Sequence, residues 1–246
     1  MHQYTEAARH ALDYPFRIPL HSFVCVDGHA ADPGAVRVDL SERIPVLAYG
    51  SNAAPAVLGR KLAATPDPVP VLRAVVSDLD VVYSAHLSSY GSVPATLQRS
   101  PGTEAMVCVA YVTGEQLRIL SRTEPNYDLQ LLGGLSCIFG DGSVLAEASA
   151  YVSRQGCLLA GASEVAMACV PARGRAFEAM NQRQVLEHVR RALCPQRTLS
   201  EFVTEAVGNP EQARRWTGRL QETARPFGWR SRVSKTAAWQ VSLFRG

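Results

Sequence analysis

Tyr49-Gly50-Ser51-Asn52 is the stretch of this chain whose residue types best suit chemistry. It closes a short apolar run, Val46 to Tyr49, that reads as a buried strand, and Pro55 beyond it suits the first turn of a helix running to about Leu62. A glycine after a buried strand permits backbone angles that aim consecutive N–H groups into one concavity, and the following helix adds its positive end. Such a turn binds a carboxylate or an oxyanion. Gly, Ser and Asn are also ordinary turn residues, and Asn52 can hold a turn through its own side chain. Ser51 lacks the G-x-S-x-G setting of a nucleophile elbow, so no serine-hydrolase triad is indicated. The six histidines show no metal-ligand spacing, and His86, at a strand end, reads as structural. The six cysteines include no C-x-x-C pair and read as buried free thiols. The expectation is a site without metal or other cofactor.

The elements that must position this turn follow from local signals. Residues 1 to 44 read as an arm, with a short helix over Thr5 to Leu12 and then Pro15, Pro19, Pro33, Gly28 and Gly34 as breakers. Val71 to Ser84 reads as a long valine-rich strand, Ala95 to Gln98 as a short extended piece, Pro101-Gly102 as a turn and Ala105 to Val112 as a further strand. Thr113 and Gln116 have capping-box spacing and open a helix carrying Leu117 and Leu120. Gly140-Asp141-Gly142 marks a hairpin between Ser136–Phe139 and Ser143–Val152. From Gly174 the period changes, with Phe177, Met180, Leu186, Val189 and Leu193 on one helical face. Pro195 ends that helix, Leu199 to Val207 forms a second, and Asn209-Pro210 opens a third with Trp216 and Leu220 on its buried side. The organisation expected is an arm (1–44), a mostly β core (45–173) and a C-terminal helical extension (174–246) packed on that core. About 70 residues is thin for an independent core.

Composition narrows the function classes. The 246 residues are 47% hydrophobic and 19% charged, too apolar for disorder and enough for a full core. No apolar run approaches the roughly 20 residues of a membrane-spanning helix. Met1 to Arg17 carries His, Glu and Arg where a secretory signal has its apolar region, so a soluble, cytoplasmic protein is expected. The net charge of +3 hides an asymmetry: 11 Lys+Arg against 16 Asp+Glu up to Ala172, and 14 against 6 from Arg173 onward. Almost all the basic residues are arginine, since only Lys61 and Lys235 are lysines. No basic run interleaved with aromatics stands out, which argues against nucleic acid as a partner.

Several short motifs then fall in order. Besides Tyr49 to Asn52, there is an Asp-bearing alternating strand, Val76-Ser77-Asp78-Leu79-Asp80-Val81-Val82-Tyr83. There is Ala95-Thr96-Leu97 followed by Ser100-Pro101-Gly102-Thr103-Glu104 and the apolar Met106 to Tyr111. Glu124 follows the Leu117 to Thr123 helix, and Tyr151 sits in Ala148-Ser149-Ala150-Tyr151-Val152. From Ile44 to Val152 this series resembles the γ-glutamylcyclotransferase family, with its AIG2-like relatives. Pro125 stands where that family usually has Gly after its catalytic Glu, and Ala53 where Leu often follows Asn. Glu124 by itself reads as a solvated residue at a helix end.

The resemblance implies an α+β fold, a mixed β-barrel core with peripheral helices and, here, an added C-terminal helical segment. It implies an enzyme that cyclises the γ-glutamyl unit of a small γ-glutamyl amide or peptide to 5-oxoproline and releases an amine or amino acid. Glu124 is then the general acid/base, and Tyr49, Gly50, Ser51, Asn52 and Tyr151 bind substrate. The partner implied is a small γ-glutamyl compound, with no membrane and no cofactor, in a monomer or a homodimer. The alternative is a non-catalytic AIG2-like module that binds a small molecule or another protein, since fold alone never establishes activity.

Overall fold

Two long valine-rich stretches dominate the sheet because β-branched side chains pack well on a pleated surface. In the computed structural model, which describes residues 4–229, these are β4 and β5. The element order is α1 (Glu6–Leu12), β1 (Phe23–Val26), β2 (His29–Ala31), β3 (Ile44–Ala48), a 3₁₀ turn (Ser51–Ala53), α2 (Pro55–Lys61), β4 (Val69–Tyr83) and β5 (Ala95–Val112). Then come α3 (Gly114–Arg122), β6 (Tyr127–Phe139), β7 (Val144–Ser153) and the short strands β8 (Leu159–Ala160), β9 (Ser163–Met167), β10 (Ala172–Arg173) and β11 (Glu178–Met180). Three helices follow, α4 (Gln182–Leu193), α5 (Leu199–Gly208) and α6 (Pro210–Gln221).

The sheet closes on itself. β3 pairs with β5 antiparallel and with β7 parallel, β7 with β6, β6 with β4, and β4 with β5. This five-stranded mixed barrel with helices around it is an α+β fold. Alternation along the strands splits the apolar residues into two sets. Leu47, Val76, Val107, Val109, Leu132 and Ala150, drawn from all five barrel strands, belong to one core cluster, which also takes in Leu186, Phe202 and Trp216 of α4, α5 and α6. Val46, Ala48, Cys108 and Ala110 face the other way and form a second cluster with Leu58 of α2 and Leu117 and Leu120 of α3.

The segment expected as an arm is part of the core. Ala8, Ala11 and Tyr14 are buried in the first cluster and Phe23 and Cys25 in the second, with β1 paired to β4 and α1 packed on α5. Its prolines and glycines break it into short elements without preventing them from packing. Pro101-Gly102 is no turn between two strands. Both residues lie inside β5, where Gly102 takes φ +80°. Opposite it the β4 register shifts between Ser77 and Leu79, and Asp78 at φ 60° accepts the Gly102 N–H at 2.7 Å. A bulge bends the pair while keeping it paired. Phe177 and Met180 do not belong to the following helix, because Asn181 caps α4 in a reciprocal box with Gln184, and Met180 ends β11. The short strands β8 to β10 went unmarked in the sequence. Part of the expected C-terminal extension, 230–246, lies outside the described residues.

Two further observations bear on the expected classes. Among the described residues no helix is long and apolar enough to cross a membrane. Cys25, Cys108, Cys137, Cys157 and Cys194 are buried free thiols, and Cys169 is an exposed one.

Candidate active site

Strand β3 delivers the Tyr49 turn to one end of the barrel. Tyr49 is buried, and Gly50 precedes the 3₁₀ turn, whose own bonds run from Ala53 N–H to Gly50 C=O (2.9 Å) and from Ala54 N–H to Ser51 C=O (3.0 Å). The first N–H groups of a helical turn have no partner within it, so those of Ser51 and Asn52 are not used by the 3₁₀ turn itself. Gly50 is required by space. A Cβ there would lie 2.6 Å from Tyr14 Oη and 3.2 Å from Ala95 Cβ. Pro55 starts α2, as the sequence indicates, and α2 ends on Lys61.

Glu124 arrives by a different route. Thr113 caps α3 in a reciprocal box with Gln116, whose buried side chain also donates to the Asp67 carbonyl at 2.7 Å. The helix ends at Arg122 with Thr123 as its C-cap, and Pro125 stops any continuation, leaving Glu124 one residue past the cap. A turn then forms, with Tyr127 N–H donating to Glu124 C=O at 3.1 Å.

The two routes meet. Asn52 Nδ2 donates to Glu124 Oε1 at 2.9 Å, and Lys61 Nζ donates to the same oxygen at 2.6 Å. Lys61 Nζ also donates to Asn52 Oδ1 at 2.8 Å, which closes a triangle. The Lys61 and Glu124 side chains are 14% and 13% exposed, so this is a largely buried ion pair rather than a solvated one. Both donors converge on Oε1, while Oε2 has no hydrogen-bond partner among the described residues. A carboxylate so held keeps one oxygen anchored and offers the other.

The triangle lies on the wall of a cavity of about 320 Å³. Tyr49, Gly50, Ser51, Asn52, Glu124 and Tyr151 all line it, so the residues expected for the site share one space. The two tyrosines contribute their rings. Tyr49 Oη donates to the Tyr151 carbonyl, and Tyr151 Oη is bonded to Ser121 Oγ at 2.9 Å, against α3. Both hydroxyls are thus engaged within the protein, while both residues line the cavity. Burial pushes the Tyr49, Tyr127 and Tyr14 hydroxyls well above the ordinary tyrosine value, so they stay protonated.

Sequence reasoning missed Lys61, Tyr127 and His86. Lys61 had a signal: it is one of two lysines in a chain with 25 Lys+Arg, at a place where a compact ammonium rather than a guanidinium fork fits between Asn52 and Glu124. Tyr127 and His86 had none, since an aromatic at a strand start and a lone histidine after a strand are commonplace. Their rings meet edge to face at 5.6 Å in the cavity wall. Among the described residues no cluster of His, Cys, Asp and Glu could hold a metal ion.

A closed mixed barrel with a carboxylate and an amide-lined turn in one end cavity is the class that fold and site define. No protein-family model matches the chain, and no curated protein matches it. Among solved structures, a γ-glutamyl cyclotransferase is 15% identical, covering 82% of this chain and 99% of that one, with a TM-score of 0.37. An uncharacterised Homo sapiens protein is 15% identical over the same shares, with a TM-score of 0.38. An Arabidopsis thaliana protein solved in solution is 23% identical, covering 47% of this chain and 72% of its own, with a TM-score of 0.37. At these values the functional reading rests on the side chains of the cavity.

Proposed function

We propose that the cavity cyclises a small γ-glutamyl amide or peptide. The substrate's α-amine attacks its own γ-carbonyl carbon, a C–N bond closes the five-membered ring, and the original amide C–N bond breaks. The products are 5-oxoproline and a free amine or amino acid. Nucleophile and electrophile already share a molecule, so orientation supplies most of the acceleration. Glu124 takes the proton that the α-ammonium must lose and returns it to the departing nitrogen. The Ser51 and Asn52 N–H groups hold anionic oxygen of the glutamyl unit.

The observation that carries this reading is the convergence of Asn52 Nδ2 and Lys61 Nζ on Glu124 Oε1, which leaves Oε2 for the substrate's ammonium. A solvated surface glutamate would not be gripped by the turn 72 residues earlier in the chain. The test is a mass-spectrometric screen for 5-oxoproline from γ-glutamyl dipeptides, glutathione and γ-glutamyl amines, with Glu124→Gln alongside. Release that Glu124→Gln abolishes while the fold is kept is the expected result. Release unchanged in Glu124→Gln refutes the base assignment, and no release from any compound shifts the reading to a binding module.

A further inference from the structure

His86 lines the same cavity, and the cyclisation just described gives it no part. It lies three residues past the end of β4 and is 2% exposed. Its Nδ1 sits 2.6 Å from Ser84 Oγ, which is itself 2.6 Å from Ser153 Oγ, and Ser153 Oγ accepts the Gln155 N–H at 3.0 Å. The direction of the two hydroxyl protons follows from counting acceptors. If Ser153 donates to Ser84 and Ser84 donates to Nδ1, each proton has an acceptor. If the relay runs the other way, the Ser153 proton has no acceptor among the described residues and is left to water in the second cavity that Ser153 lines. The arrangement satisfied entirely within the protein makes Nδ1 an acceptor and puts the ring proton on Nε2.

Nε2 has no protein partner among the described residues. Nor is it a sealed orphan, because the buried unpaired polar side-chain atoms are Arg73 Nε and Glu205 Oε2. It is therefore not fully sealed, and the cavity is the space that His86 lines. Desolvation holds the imidazole at a pKa of about 4, so the ring is neutral near pH 7.

We infer that His86 is a ligand-contacting residue whose Nε2–H donates to an oxygen of the bound γ-glutamyl unit, a carbonyl or a carboxylate. The identity of that oxygen rests on the cyclotransferase reading; the tautomer does not. A neutral imidazole donor held in a dry wall polarises a carbonyl at little reorganisation cost and without transferring its own proton. It also leaves proton transfer to Glu124 alone.

The test uses the full chain labelled with 15N in histidine, at pH 7, with the His86 signal assigned by its loss in His86→Asn. The expected spectrum shows a protonated Nε2 and an unprotonated Nδ1, and 5-oxoproline shifts the Nε2 resonance. An Nδ1–H tautomer or an imidazolium overturns the inference. So does an unmoved Nε2 in a protein that cyclises a γ-glutamyl amide. In kinetics, His86→Leu lowers kcat/KM roughly 100-fold, as for loss of one oxyanion donor. A fall in kcat places the contact on the γ-carbonyl, and a rise in KM places it on the carboxylate. No change in either overturns it. A wild type that forms no 5-oxoproline but shows the expected tautomer refutes the cyclisation, not the donor.

Discussion

Replacing Gly50 by Ala puts a methyl group 2.6 Å from Tyr14 Oη, closer than real Cβ contacts come. Tyr14 cannot simply swing aside. It is 6% exposed, and its hydroxyl accepts the Ala95 N–H at 2.8 Å. Displacing it leaves that buried N–H unpaired, at about 1–3 kcal/mol. Overpacking of the surrounding wall adds about 1–3 kcal/mol. Gly50→Ala alone therefore destabilises by about 2–6 kcal/mol. Tyr14→Phe removes the colliding oxygen and incurs only the unpaired N–H, at about 1–3 kcal/mol. In the Tyr14→Phe background the new methyl meets Ala95 Cβ at 3.2 Å and the ring Cζ at 3.7 Å, an ordinary contact, so it adds less than about 1 kcal/mol. The double mutant is then more stable than the sum of the single effects by roughly 1–6 kcal/mol, the single Gly50→Ala cost less what remains of it in the Tyr14→Phe background. Urea denaturation of the four proteins, followed by tryptophan fluorescence, measures this coupling. Single effects that add to within about 0.5 kcal/mol would refute the steric reasoning.

Two further outcomes follow from the same wall. Lys61→Met frees Asn52 and Glu124 from their shared ammonium, and the loss of alignment lowers kcat roughly 100-fold, read as the initial rate of 5-oxoproline release. Its thermal midpoint falls by several degrees as well, because Glu124 is left largely buried without its charge partner. His86 is depressed to a pKa of about 4, below the ordinary 6.5, so the unfolded chain binds that proton first as pH falls. Its contribution to stability is complete above about pH 6.5 and is lost down to about pH 4, about 3 kcal/mol in all. His86→Asn flattens that part of the stability profile, measured as the urea midpoint against pH; a profile identical to wild type counts against a neutral buried ring.

What was legible in the chain was local. The Thr113–Gln116 box, the Asn209-Pro210 helix start, the Gly140-Asp141-Gly142 hairpin and Pro55 at the head of α2 all appear where the spacing puts them. Where local signals were taken alone they misled. Proline-glycine inside β5 reads as a turn until Asp78 on the opposite strand is seen to accept the Gly102 N–H. The breakers of the first 44 residues read as an arm until Phe23 and Tyr14 are found in the core. Phe177 matched a helical period by chance, and the Asn181 cap decided where α4 begins.

The sequence by itself therefore determined the short-range elements and the Gly-Ser-Asn turn, because caps, turns and strand alternation depend on residues a few positions apart. It also pointed to Glu124, through its place in a resemblance rather than through any property of a glutamate at a helix end. Only the tertiary structure decided that β4 and β5 close the barrel, that Lys61 reaches Glu124, and that Ser84 and Ser153 fix the His86 ring. Lys61 and Glu124 are 63 positions apart and Ser84 and Ser153 are 69 apart, and no periodicity marks a partner at such separations. They exist because closing the sheet brings the ends of β3, β4, β6 and β7 to one rim, where side chains from separate elements share a single cavity.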